Sequence, residues 1–130
     1  MQKSSNVALI SNNKLLLLKR GDSAPWNPGR YCLPGGKLED NEDLVTCAIR
    51  ELQEETSIVL RAYQLMPLTI NYPKYSKTIF INNSDEPHPV TLNWEHTNYF
   101  WASYKESFQM PLVPGLDVTI KSLCHWGYLI

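Results

Sequence analysis

The chain has 130 residues, 43% of them apolar, and 12 Lys+Arg against 13 Asp+Glu leave a formal net charge of −1. That length predicts a single domain over residues 1–130, and the balance excludes a disordered chain and offers no basic surface for nucleic acid. The run Leu15–Leu18 is far too short to span a membrane, and the N-terminus lacks a charged-then-apolar leader, so a cytoplasmic protein without membrane partners is expected.

In chain order, residues 3–10 and 14–20 read as two strands joined by the polar break Ser11-Asn12-Asn13. Gly21 to Arg30, with Pro25, Pro28 and Gly29, reads as a loop carrying Trp26 near its tip. A short strand and a Pro34-Gly35-Gly36 turn follow. Asn41 is the expected N-cap of a helix over 42–56, with Glu42 and Asp43 in its first turn. Ile58 to Leu65 and Lys77 to Ile81 read as strands, Asn82 to Pro89 as a loop, and Leu92 to Tyr104 as a long strand. Leu116, Ile120 and Leu123 recur at helical spacing and predict a closing helix over 115–126. Strands with two well-separated helices predict an α/β fold, a mixed sheet sandwiched between helices. Cys32, Cys47 and Cys124 form no C-x-x-C, and His88, His96 and His125 have no metal-ligand spacing, so core or surface roles are expected for all six.

The chemistry concentrates between residues 36 and 58. Glu51, Glu54 and Glu55 lie on one helix; at about 100° per residue they project within an arc of roughly 100°. Leu44, Val45, Ala48, Ile49 and Leu52 fill the adjoining arc, so the carboxylates border the buried stripe, where a helix meets a cleft. Like charges so close repel one another and call for a compensating cation. A hard divalent metal takes carboxylate oxygens and shares its other positions with water and phosphates. Arg50, four residues before Glu54, is placed to hold that carboxylate.

Gly36, Glu42, Arg50, Glu51, Leu52, Glu54, Glu55 and Ile58 fall in the register of the Nudix box, and the chain resembles the Nudix hydrolase family. Ser57 departs from it, standing where the family has glycine. Tyr31 to Gly36, the hairpin around Val7–Ile10 and Leu15–Arg20, and Glu95-His96 before Tyr99-Phe100-Trp101 resemble further parts of the Nudix fold. The resemblance implies Mg²⁺ or Mn²⁺ ligated by Glu51, Glu54 and Glu55, with the Gly36 carbonyl as a further ligand. It also implies that a glutamate, Glu51 first, deprotonates or orients the attacking water, with Arg50 assisting. Glu42 is read as bracing the loop before the helix, and Glu95 as the best-placed further carboxylate from outside the box. Arg20, Leu33 and Gly35 are candidate substrate contacts, and Trp26, Tyr31, Tyr72 and Tyr75 are candidates to stack on a base.

The implied activity is metal-dependent hydrolysis of a phosphoanhydride in a nucleoside diphosphate linked to another group. A short, undecorated chain resembles the MutT-like branch, which acts on nucleoside triphosphates; dinucleoside polyphosphates and nucleotide sugars are the alternatives. A Nudix-like module that binds a nucleotide without cleaving it is the alternative of another class, and such modules often lack a box carboxylate that this chain retains. The expected partner is a small nucleotide, and the expected state a monomer or homodimer.

Overall fold

The computed structural model describes residues 2–130. Its elements are β1 (Ser4–Ser11), β2 (Lys14–Arg20), β3 (Tyr31–Cys32), β4 (Gly35–Lys37), α1 (Leu44–Thr56), β5 (Met66–Asn71), β6 (Ser76–Ser84), β7 (His96–Ala102), α2 (Tyr104–Ser107) and α3 (Leu116–His125). A 3-10 turn over Ala62–Gln64 precedes β5.

β1 and β2 form a hairpin closed by Asn12 and Asn13, both at positive φ (51° and 60°), as a two-residue primed turn requires. The hairpin pairs only near this turn, at Ile10–Leu15 and Ser11–Lys14, and then splays. Residues 31–37 fill the gap: β3 pairs with β2, β4 pairs with β1, and the Val7 amide donates to the Pro34 carbonyl at 2.9 Å. β6 runs parallel to β1, whereas the remaining pairings between these strands are antiparallel, so the sheet is mixed.

Both faces are covered, which is why the Leu15–Leu18 run is buried throughout rather than alternating. Val7, Leu9, Leu16 and Leu18 pack with Ala48 and Leu52 of α1. Ala8, Ile10, Leu15 and Leu17 pack with Leu116, Ile120 and Leu123 of α3 on the opposite face. The fold is the expected α/β sandwich.

Several expected boundaries move, each for a local reason. α1 starts at Leu44 with Asp43 as its N-cap, accepting from the Thr46 amide at 2.8 Å; Asn41 instead sits at φ 62°. Glu42 is outside the helix because its carboxylate accepts from the Glu39 amide at 2.9 Å and closes a turn. Pro34-Gly35-Gly36 is not a turn, since Gly35 and Gly36 are paired strand residues opposite Asn6 and Ser5. Ile58 to Leu65 is not a strand: Ile58, Leu60 and Leu65 bury into the α1 core without a partner strand, and the 3-10 turn interrupts them. The strand follows as β5, paired with β6 from Met66–Ile81 to Asn71–Ser76. β6 extends to Ser84, beyond the expected Ile81, because β1 pairs with it as far as Ser11. β7 begins only at His96 and ends at Ala102, where Ser103 caps α2 in a reciprocal box with Glu106.

Candidate active site

Four residues of β4 and α1 meet in two contacts that leave no room for a side chain on either glycine. The Gly35 amide donates to Glu55 Oε1 at 2.9 Å. A Cβ on Gly35 would lie 2.2 Å from the Ser5 carbonyl oxygen, and one on Gly36 would lie 2.5 Å from Glu51 Cδ. The glycine pair thus lets β4 press against β1 on one side and receive two helix carboxylates on the other. The Gly36 carbonyl accepts weakly from the Cys47 thiol, Sγ to O 3.5 Å.

Arg50 is the counter-charge of this corner. Its Nε and Nη2 meet the two Glu42 oxygens at 2.8 Å each, a fork-to-fork pair. Its Nη1 donates to Glu51 Oε1 at 2.9 Å and reaches Glu54 at only 3.4 Å, and Nη2 also donates to the Lys37 carbonyl at 3.1 Å. The expected Arg50–Glu54 pair is therefore the weakest of these contacts, and Glu42 is the principal partner. The side chain of Arg50 is 22% exposed and that of Glu42 8%, so the pair is shielded enough to fix its geometry. Arg50 holds the Glu42 carboxyl far below its usual value, at about 2.

The two inner carboxylates are less well compensated. Burial pushes Glu55 up to about 9, opposed by the Gly35 amide and reinforced by the charges of Glu95 and Glu51. Burial also raises Glu51 against the pull of Arg50, with Glu54 and Glu95 adding to the rise. Glu95 stands in the turn before β7, where its amide donates to Asn93 Oδ1 at 3.1 Å, and its field reaches both box residues. Glu54 is half-exposed at the rim. Among the described residues, no three carboxylates, imidazoles or thiols already converge as a ready-made ligand set. The donor chemistry nonetheless fits a hard divalent cation: buried carboxylate oxygens that resist ionisation gather beside a glycine carbonyl.

Around the glycine corner lies a cavity of about 270 Å³, lined among others by Asn6, Arg20, Cys32, Leu33, Gly36 and His96. Arg20 donates Nε to the Trp26 carbonyl at 2.6 Å, and its guanidinium lies beside the Cys32 thiol. Leu33 is core as much as wall, 6% exposed. An adjoining cavity of about 110 Å³ is bounded by Tyr72, Tyr75 and Thr119. Tyr72 stacks on Tyr75, with ring centroids 4.8 Å apart, and its hydroxyl lies 2.6 Å from Thr119 Oγ1. Tyr31 and Trp26 do not join that stack. Asn6 lines both cavities, and its buried Oδ1 has no partner among the described residues. Sequence reasoning passed over Asn6, which closes the polar Ser4-Ser5-Asn6 start of β1 and carries no signal of its own in the sequence. The Cys32–His96 contact, Sγ to Nε2 3.5 Å, was likewise invisible, because the two residues meet only across β2.

The NUDIX domain family model matches residues 1–123. The chain belongs to the Nudix family. The glycine corner and the α1 carboxylates lie within the matched residues, and the expected enzyme class, a Nudix hydrolase, agrees with this membership. The Ap4A hydrolase of C. elegans superposes with a TM-score of 0.75 at 22% identity, covering 95% of this chain and 97% of that one. The MutT protein of Methanosarcina mazei Go1 gives 0.71 at 23%, covering 96% and 93%. The m7GpppN-mRNA hydrolase NUDT17 of Xenopus laevis is 30% identical over 115 residues, 88% of this chain and 37% of that protein. The mRNA-decapping protein g5R of African swine fever virus is 36% identical over 62 residues, 48% of this chain and 25% of that one. The chain thus spans between a quarter and two-fifths of the length of these two curated relatives. No helix among the described residues is long and apolar enough to cross a membrane.

Proposed function

We propose that this Nudix chain hydrolyses a phosphoanhydride within a nucleoside diphosphate linked to another group. The observation that carries the reading is the fold of Glu51 over the bare Gly36, with Glu55 buried beside it on the Gly35 amide. Glu51, Glu54, Glu55 and the Gly36 carbonyl are the groups that would hold Mg²⁺ or Mn²⁺, and Glu95 is placed to add a carboxylate. Such an ion, when bound, neutralises phosphate charge and lowers the pKa of water.

The chain's own residues supply position and charge. Arg50, braced by Glu42, holds Glu51 in line. Glu51 is the candidate to accept the proton of the attacking water. Arg20 and Lys77 stand on the walls of the cavity over the box, placed for the phosphates of an anionic substrate. One nucleoside is assigned to the cleft of Tyr72, Thr119 and Asn6, where the unpartnered Asn6 Oδ1 accepts a base N–H.

The resemblance to the MutT-like branch supports a nucleoside triphosphate as the linked nucleotide, while the Ap4A and m7GpppN-mRNA hydrolases support nucleotides with two ends. The test is product analysis over a panel of nucleoside triphosphates, dinucleoside polyphosphates and nucleotide sugars with Mg²⁺ or Mn²⁺. Turnover is expected only with the metal and is expected to fall by orders of magnitude in Glu54→Gln, a half-exposed substitution that leaves the fold intact. Full activity in chelator, or in that variant, would overturn the reading.

A further inference from the structure

Lys77 borders the cavity over the glycine corner, the Tyr72 cleft, and a third space of about 350 Å³. Gln2, Lys3 and Ser4 form one wall of this third space and Tyr75, Ser76 and Lys77 the other, so it lies between the start of β1 and the entry to β6. Both walls are tied down. Gln2 donates Nε2 to the Ser4 and Thr78 carbonyls at 2.8 Å each and accepts from the Thr78 amide at 2.9 Å. The Lys3 carbonyl accepts from the Leu38 amide at 2.8 Å, and the Tyr75 ring stacks on Tyr72.

The lining carries two ammonium groups and no carboxylate. Among the described residues, neither lysine forms an ion pair; the ion pairs there all belong to Arg50. Lys77 is half-buried, and burial alone pushes its ammonium below the usual lysine range. A cation drawn out of water without a counter-charge gains from an anion placed against it. Ser4 and Ser76 add hydroxyl donors to the same walls. We propose that Lys3 and Lys77 form a site for a phosphate group, apart from the reacting centre. A phosphate brings about two negative charges and three strong acceptor oxygens to these donors, more than a carboxylate offers. An ammonium has three N–H donors, so Lys77 serves a phosphate here and one over the box together. The phosphate is either a free anion, such as pyrophosphate, or the far end of a bound nucleotide. Only the second source rests on the hydrolase reading.

The test titrates inorganic pyrophosphate, without metal, into the wild type, Lys3→Gln and Lys3→Glu, and follows backbone amide shifts by NMR. Lys3 is exposed and its bond to Leu38 is made by the backbone, so both variants keep the fold and the box. Wild-type shifts are expected at Lys3, Ser4, Ser76 and Lys77. Lys3→Gln is expected to weaken binding at least fivefold, and Lys3→Glu to abolish it. Equal binding by the three proteins, no binding, or shifts confined to Arg20 and Gly36 overturns the proposal. Turnover in Mg²⁺ then separates the two sources. A KM for ATP raised at least threefold by Lys3→Gln, with the KM for ADP-ribose unchanged, marks a phosphate carried by the nucleotide. Relief of pyrophosphate inhibition with both KM values unchanged marks a free anion. Lys3-dependent binding without turnover of any nucleotide upholds the site and overturns the hydrolase reading alone.

Discussion

Glu51 lays its carboxylate over the Cα of Gly36, so closely that a methyl group there would sit 2.5–2.8 Å from the carboxylate atoms. The neighbouring glycine differs in what it touches, because a methyl on Gly35 would meet backbone, the Ser5 carbonyl at 2.2 Å. Flexible side-chain ends can move aside and a paired strand cannot. Gly36→Ala is therefore expected to cost little stability, about 1 kcal/mol or less, while turnover falls at least 100-fold as Glu51 is displaced. Gly35→Ala is expected to destabilise the fold by about 3 kcal/mol or more. Thermal melts and turnover of the two variants check the contrast, and equal stability losses would contradict it.

Arg50 and Glu42 lie eight residues apart and clamp the 39–42 turn onto α1. Glu42 is held at about 2 against an ordinary 4.5, so its contribution to stability is present above pH 4.5 and is lost as pH falls through 2. Glu42→Gln is expected to lower the melting temperature at pH 7 and to leave it unchanged at pH 2. Turnover is expected to fall about 10- to 100-fold, the usual effect of removing a group that orients a ligand. Wild-type turnover in this variant would show that Arg50 keeps its aim without Glu42.

For Glu55 the sign is opposite. Burial raises it to about 9 from 4.5, so between those values the folded chain holds a proton that the unfolded chain releases. Its stabilising contribution is full below pH 4.5 and is lost as pH rises through 9. Glu55→Gln retains an acceptor for the Gly35 amide and has no charge to bury. Metal-free melts are expected to show a flatter decline in stability toward alkaline pH for the variant, with a gain of about 1–3 kcal/mol at pH 9. A steeper decline would reverse the assignment. Turnover is expected to be lost with the carboxylate.

Ser57 follows α1 with φ 65° and ψ 11°, a left-handed residue at the position where the Nudix box has glycine. Its amide closes the helix on the Gln53 carbonyl at 2.9 Å, and its hydroxyl reaches the Thr91 carbonyl at 3.2 Å on the surface. Ser57→Gly relieves the left-handed strain and gives up that exposed bond, for a net gain of about 0.5–1 kcal/mol. Thermal melts without metal check it, and a loss of stability would mean that the Thr91 bond outweighs the strain.

The sequence by itself determined the box, its helix and the two-sided sandwich. Neighbours on a helix follow from fixed dihedrals, so Glu51, Glu54 and Glu55 share a side of α1 wherever the rest of the chain goes. Two helical segments far apart in the chain likewise announce a sheet covered on both faces. Spacing along the chain could not show that Arg50 prefers Glu42 to Glu54, because that choice depends on a turn folding back over the helix start. Ile58 to Leu65 opens on an apolar Ile-Val-Leu run like a strand's, but such a run cannot tell a paired strand from an extended segment buried alone. Only tertiary structure, through strand register and the splay of the β1–β2 hairpin, brought Asn6, Cys32 and His96 to one cavity and set Lys77 between it and its neighbours. Contacts between distant segments are set by packing, and packing has no period in the sequence.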